Sequence, residues 1–237
     1  MRLFVRYSMC VVTSLLLLGS VCPTFEPPPP PPLSQPFITD IELKEFRNSG
    51  QFVEAAYVQW SPPMDSSLNA TSYTLLKKTT ADSLFDILSE NIPSHITEYY
   101  DRLSEADFPS IHYDTIFYKV FATDSLGRRG DTSSPCSLIL APQPSFTSYD
   151  TTSGRINWSM LGIQGALDSW VKIWNDEETK TWKNEKITRF SGENDIINFS
   201  VMLPKDFNPL STGKWYYGLH IDAYGRNSLK IGEIMIP

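Results

Sequence analysis

The chain has 237 residues, of which 41% are hydrophobic, 13% aromatic and 20% charged. That apolar content suffices for packed cores and argues against a disordered or coiled-coil chain. Twenty Lys and Arg against 27 Asp and Glu leave a net charge of −7, which disfavours nucleic acid as a partner.

In chain order, Arg2 and Arg6 lead into an apolar run, 11–18, followed by Gly19-Ser20-Val21-Cys22. The run falls short of the about 20 residues that span a bilayer. A basic start, a short apolar stretch and small residues behind it predict a secretory signal peptide over 1–21. These residues resemble the lipid-acceptor region of bacterial lipoproteins, with Cys22 as the lipidated residue, although Val21 and Gly19 depart from the usual pattern. The resemblance implies an exported cell-envelope protein that touches the membrane only through its lipid anchor. Without lipid on Cys22, the same signal implies secretion.

Residues 22–35 read as a Pro-rich linker, with six consecutive prolines from Pro27 to Pro32. Such a run holds polyproline II at about 3.1 Å per residue, a stiff spacer of roughly 40 Å. Cys10 leaves with the signal and Cys22 takes lipid, so Cys136 alone remains in the body. One cysteine makes neither an internal disulfide nor a zinc site.

From Pro36 onward, short β-prone runs alternate with turn clusters. Strands are expected near 37–43, 54–60, 72–78, 84–88, 96–100, 114–123 and 136–141. A second set follows near 145–149, 154–158, 169–175, 180–190, 195–203, 214–223 and 231–236. The spacing, with no long 3.6-residue period, predicts an all-β protein built of sandwiches. The body is also duplicated: Val58-Gln59-Trp60-Ser61 recurs as Ile156-Asn157-Trp158-Ser159, and Asp124-Ser125-Leu126-Gly127-Arg128 recurs as Asp222-Ala223-Tyr224-Gly225-Arg226. Both matches are 98 residues apart, a domain-sized repeat. The expected domains are 36–142 and 143–237.

Val58-x-Trp60 before Pro62-Pro63, and Tyr118-x-Val120-x-Ala122-x-Asp124-x-x-Gly127, resemble the fibronectin type III domain. So do Ile156-x-Trp158 and Tyr217-x-Leu219-x-Ile221-x-Ala223. The resemblance implies two tandem immunoglobulin-like sandwiches, each with a core Trp on its second strand and an inward Tyr and aliphatic row on its sixth. It departs where Ile116 stands in the place of the corner Tyr. A fold of this kind hosts many roles and does not name a ligand.

Motifs for catalysis are scarce. His95, His112 and His220 are far apart in sequence and lack metal-ligand spacing. His220 lies between Leu219 and Ile221, so it is expected on the outer face, in solvent. Asp176-Glu177-Glu178 reads as a solvated turn. Glycosidase chemistry would need two carboxyls facing each other across a cleft. The expectation is a non-catalytic protein without cofactor or metal, unless a cleft between the units gathers acidic groups.

Two features suggest binding. On the third strand of the second unit, Val171 and Ile173 match the inward Tyr73 and Leu75, so Trp170, Lys172 and Trp174 point outward. The two Trp stand about 13 Å apart at strand rise, with Trp182 expected beside them on the next strand. Such a row is expected to bind an envelope or extracellular protein, or a polysaccharide by stacking on sugar rings, unless the two units pack together over it. The second feature is Arg129-Gly130-Asp131, between the sixth and seventh strands, where fibronectin's integrin-binding module looks similar. Integrin-type adhesion through it needs a tight exposed turn. Charge separates the units: residues 36–142 hold 8 basic and 15 acidic residues, residues 143–237 hold 10 and 11.

Overall fold

The computed structural model describes residues 33–64, 70–110, 113–192, 195–207 and 210–236. The expected signal peptide, Cys22, the six-proline run and His112 lie outside them. The strands of the first sandwich are β1 (Phe37–Asn48), β2 (Gln51–Ser61), β3 (Ala70–Thr79), β4 (Asp86–Pro93), β5 (Glu98–Arg102), β6 (Asp114–Asp124), β7 (Arg129–Thr132) and β8 (Cys136–Leu140). Those of the second are β9 (Ser145–Asp150), β10 (Arg155–Leu161), β11 (Gly165–Asn175), β12 (Thr181–Lys183), β13 (Ile187–Ser191), β14 (Ile196–Met202), β15 (Gly213–Ala223) and β16 (Arg226–Ile236). The protein is an all-β double sandwich.

In the first sandwich a sheet in the order β1-β2-β5 faces one in the order β4-β3-β6-β8, with β7 beside β6. In the second, β9-β10-β14 faces a sheet in which β11, β15 and β16 are consecutive and β12 and β13 share the free edge of β11. Each pair of sheets encloses its own core. Trp60, Tyr73, Leu75, Tyr118 and Val120 fill the first, and Trp158, Val171, Ile173, Phe199 and Leu219 the second. These are the alternate positions of the strands, as a sheet with one face in the core requires.

The matched tryptophans are handled differently. Trp158 Nε1 donates to Ser169 Oγ at 2.8 Å, whereas the buried Trp60 Nε1 has no partner among the described residues. With Ile116 buried in the first core, it is Tyr118 whose hydroxyl is anchored, donating to Asp101 Oδ2 at 2.6 Å. Lys77 closes the group with ion pairs to Asp101 at 2.8 Å and Asp107 at 3.2 Å. Three charged side chains are thus tolerated between the sheets because each has a partner.

Four departures from the expected strands matter. The segment 44–53 is strand rather than connection, closed by a two-residue turn whose Ser49 and Gly50 have φ of 50° and 84°, the left-handed pair of a type I′ hairpin. Strand β7 is additional, the run 180–190 is split into β12 and β13, and β16 starts five residues early. The early start lets Arg226 and Asn227 pair in parallel with Ile139 and Leu140 of β8. The larger sheets of the two sandwiches thereby become one continuous ten-stranded sheet, and Ala141 N–H donates to Asn227 O at 2.8 Å. Leu33, expected in the linker, is instead buried in the first core.

Candidate protein-binding faces

One face of the long β1–β2 ribbon packs against two different partners. Near the base, Ile41 and Leu43 of β1 and Ala56, Val58 and Trp60 of β2 belong to the first core. Continuing along the same alternation and register, Glu45 and Arg47 stand beside Glu54 and Phe52 near the tip. These four meet the outer face of the second sandwich. Phe52 touches Trp174 edge-on at 5.1 Å and Tyr216 at 4.8 Å. Glu54 Oε1 accepts the Ile231 N–H at 2.8 Å, and Gln143 Nε2 donates to Leu229 O at 2.8 Å. Arg47 reaches Asp176 at 3.7 Å and Glu178 at 3.6 Å.

At the centre of the contact, Glu45 Oε1 lies 2.9 Å from His220 Nε2 and Oε2 lies 3.6 Å from Lys172 Nζ. Burial pushes the Glu45 carboxyl up, but the His220 hydrogen bond and charge, with Lys172, outweigh it and hold the carboxyl at about 2. Gly218 makes room for this carboxylate: a Cβ there would stand 3.3 Å from Glu45 Oε1 and 3.4 Å from the Trp174 ring.

This contact corrects the reading of the Trp170, Lys172, Trp174 and Trp182 row as an exposed platform. Trp170, Lys172 and Trp174 do share the outer face of β11, opposite the core residues Val171 and Ile173. Trp174, however, is only 1% exposed, because the hairpin of the first sandwich lies over it. Trp170 is half-buried, stacked on His220 at 4.9 Å and 8°, with the ammonium groups of Lys183 and Lys186 each 5.0 Å from its ring. Trp182 is opposite Ile173 across β11 and β12 and packs on the second core, so it stands on the other face. His220 is on the outer face but covered rather than solvated, and the acidic turn 176–178 pairs with Arg47.

Arg129-Gly130-Asp131 also departs from expectation. It forms β7, paired with β6, and Gly130 is buried beneath Leu33, where a Cβ would come within 2.7 Å of the Leu33 Cβ. Asp131 N–H donates to Leu33 O at 3.2 Å, and the Arg129 guanidinium lies 3.8 Å from the centre of the Phe121 ring. The tripeptide is a strand packed against the chain, not an exposed turn.

An open cleft of roughly 780 Å³ lies between the units, lined by Phe108, Pro144, Phe146, Met160 and Ile196 among others. Its charged lining residues, Glu105 and Lys230, form an ion pair with each other. The facing carboxyls of a glycosidase are not assembled there. Among the described residues no cluster of His, Cys, Asp and Glu could hold a metal ion, and no helix is long and apolar enough to cross a membrane.

The face that sequence reasoning missed is on the first sandwich. On the outer side of its four-stranded sheet, register sets Leu76 beside Lys119, Lys78 beside Phe117, and Thr74 beside Phe121, with Ile87 of β4 beyond Leu76. Lys78 Nζ lies 5.2 Å from the Phe85 ring and 5.4 Å from the Phe117 ring, and Lys119 Nζ lies 4.8 Å from the Phe85 ring. Arg129 over Phe121 completes the patch. The signal was present as the alternation Phe117-x-Lys119-x-Phe121 opposite the core residues Tyr118 and Val120.

The strand order of each unit, three strands facing a sheet built on β3-β6-β8 or β11-β15-β16, defines the class: a tandem sandwich of fibronectin type III-like topology. No family model matches the chain, and no curated protein is similar to it. Solved structures to which it is similar include the FN1–FN3 domains of chicken CNTN1, at 14% identity and a TM-score of 0.34 over 86% of this chain and 67% of that one. Others are the sixth fibronectin type III domain of human fibronectin type III domain containing protein 3 (19%, 0.34, 49% and 92%) and the chicken interferon gamma receptor alpha chain (15%, 0.28, 84% and 98%).

Proposed function

We propose that this chain is a non-catalytic binding and scaffolding protein of the cell envelope, working as one rigid two-sandwich body. The observation that carries the reading is the β1–β2 hairpin lying across the aromatic face of the second sandwich, which fixes the two units against each other. A fixed body presents its outer faces to a partner at low entropic cost, and the contact occupies the surface on which a second-unit polysaccharide site would depend. The basic-apolar start and Cys22 support export and lipid attachment, and the proline run supports a stiff spacer behind the anchor.

The test is isolation of the protein from the membranes of its native host. The expected result is an intact mass of Cys22–Pro237 plus acyl groups, with a protein partner retained at fixed stoichiometry. Turnover of an envelope polymer by the purified chain, or an unmodified mass in the culture fluid with no partner, would overturn the reading.

A further inference from the structure

The two sandwiches present the same kind of outer sheet face, and among the described residues only the second face is covered. In the second, the aromatic pair Trp174 and Tyr216 and the basic side chains His220 and Lys172 receive Phe52 and Glu45 from a β-hairpin. In the first, Phe117, Phe121, Phe85 and Leu76 are half-buried and Ile87 is 62% exposed. Lys78, Lys119 and Arg129 stand over these rings. No described strand lies over this face.

Charge supports a particular occupant. The first unit is acidic overall, yet three of its eight basic residues converge on this face. Four others are committed to carboxylates: Lys44 to Glu42, Arg47 to Asp176 and Glu178, Lys77 to Asp101 and Asp107, and Arg128 to Asp124. Asp82, whose carboxyl pKa is lowered mainly by its Thr79 hydrogen bonds and in small part by Lys78, is already tied to the N–H and hydroxyl of Thr79 at 2.8 Å each. Cations over rings at a solvent-facing sheet are partners for carboxylates on a segment whose own aromatic or aliphatic side chains cover the rings.

We propose that the outer face formed by Lys78, Phe85, Ile87, Phe117, Lys119 and Arg129 docks an acidic, aromatic-bearing extended segment of a partner protein. The cis contact is the template: a carboxylate bridging two basic side chains, as Glu45 does, and a ring entering edge-on, as Phe52 does. The proposal rests on the scaffolding reading and names the site through which it would work. A second copy of this chain is the poorer occupant, because its own hairpin carrying Glu45 and Phe52 is already engaged within the molecule.

The test places a photo-crosslinking phenylalanine analogue at Ile87 in the full chain, expressed in the native host, with the analogue at the exposed Phe190 of the second sandwich as the comparison. The expected adduct forms from position 87, is digested by trypsin, and maps to a partner peptide rich in Asp and Glu. It falls about tenfold in a Lys78→Glu/Lys119→Glu double variant and persists in Lys78→Arg/Lys119→Arg, as charge complementarity demands. An adduct that survives charge reversal, a protease-resistant polysaccharide adduct, or one with a second copy of this chain would each overturn the proposal. A partner captured from position 190 alone would overturn it while leaving the scaffolding reading intact. Failure of both positions, with no partner retained on membranes, would overturn both.

Discussion

Glu45 of the first sandwich and His220 of the second, 175 residues apart in sequence, meet at 2.9 Å where the β1–β2 hairpin extends past its core-facing residues onto the second sandwich. The contact couples the two units and makes the fixed body sensitive to acid. Glu45 is held at about 2 against an ordinary 4.5, so its ionised form is favoured in the folded protein. The stabilisation is complete above about pH 4.5 and is lost as pH falls toward 2. At about 1.4 kcal/mol per pKa unit it is on the order of 3–4 kcal/mol. Thermal unfolding followed between pH 6 and pH 2 should show this acid-dependent loss, and Glu45→Gln should flatten it.

Phe52→Ala removes the ring that touches Trp174 and Tyr216. The expected cost is about 2 kcal/mol, below that of a fully buried phenylalanine because Phe52 is half-exposed. Calorimetry should then resolve two unfolding transitions instead of one, with a red shift in tryptophan emission as Trp174 becomes wet. A single unshifted transition would show that the hairpin does not couple the units.

Gly218 tests the same contact by crowding it. Alanine requires shifts of a few tenths of an ångström around Glu45 and Trp174 and should cost under about 1 kcal/mol. Valine should lift the hairpin and cost about 2–3 kcal/mol. In the Gly218→Val background Phe52→Ala should add little, a coupling measurable by a double-mutant cycle.

Ser169 ties a core tryptophan to the outer sheet: its Oγ accepts from Trp158 Nε1 at 2.8 Å and donates to His220 O at 3.0 Å. Ser169→Ala leaves that buried indole N–H unpaired and should cost about 1–2 kcal/mol in urea unfolding. An unchanged midpoint would mean that the Trp158 N–H finds another acceptor.

Leu33 belongs to the first core although it follows the proline run directly. It is 2% exposed and sits over Gly130, so Leu33→Ala should cost about 2–3 kcal/mol. The same change should speed amide exchange at Asp131, whose N–H donates to Leu33 O. Exchange that stays slow would separate that hydrogen bond from the packing of the side chain.

The strands and both cores were legible because alternation is a local property. Trp60 and Trp158, with Tyr73-x-Leu75 and Val171-x-Ile173, announce which side of each strand is apolar, and the 98-residue repeat confirms the pairing of units. The segment 44–53 was not legible as strand. Lys44-Glu45-Phe46-Arg47-Asn48-Ser49-Gly50-Gln51 has the polarity of a connection, because near the tip Glu45 and Arg47 face another sandwich instead of an apolar core. Trp182 was misplaced for a related reason: the chain between β11 and β12 reverses with a length that puts Trp182 opposite the inward Ile173.

The amino-acid sequence by itself determined the two-unit all-β plan, the inward faces and the outward placement of Trp170, Lys172 and Trp174. Only the tertiary structure decided which outward faces are covered. Strand periodicity specifies the side of the sheet on which a residue stands, but what lies against that side depends on chain more than 100 residues away. Here the reach of one hairpin buries Trp174, whereas Phe117, Lys119 and Phe121 of the first sandwich have no such cover among the described residues.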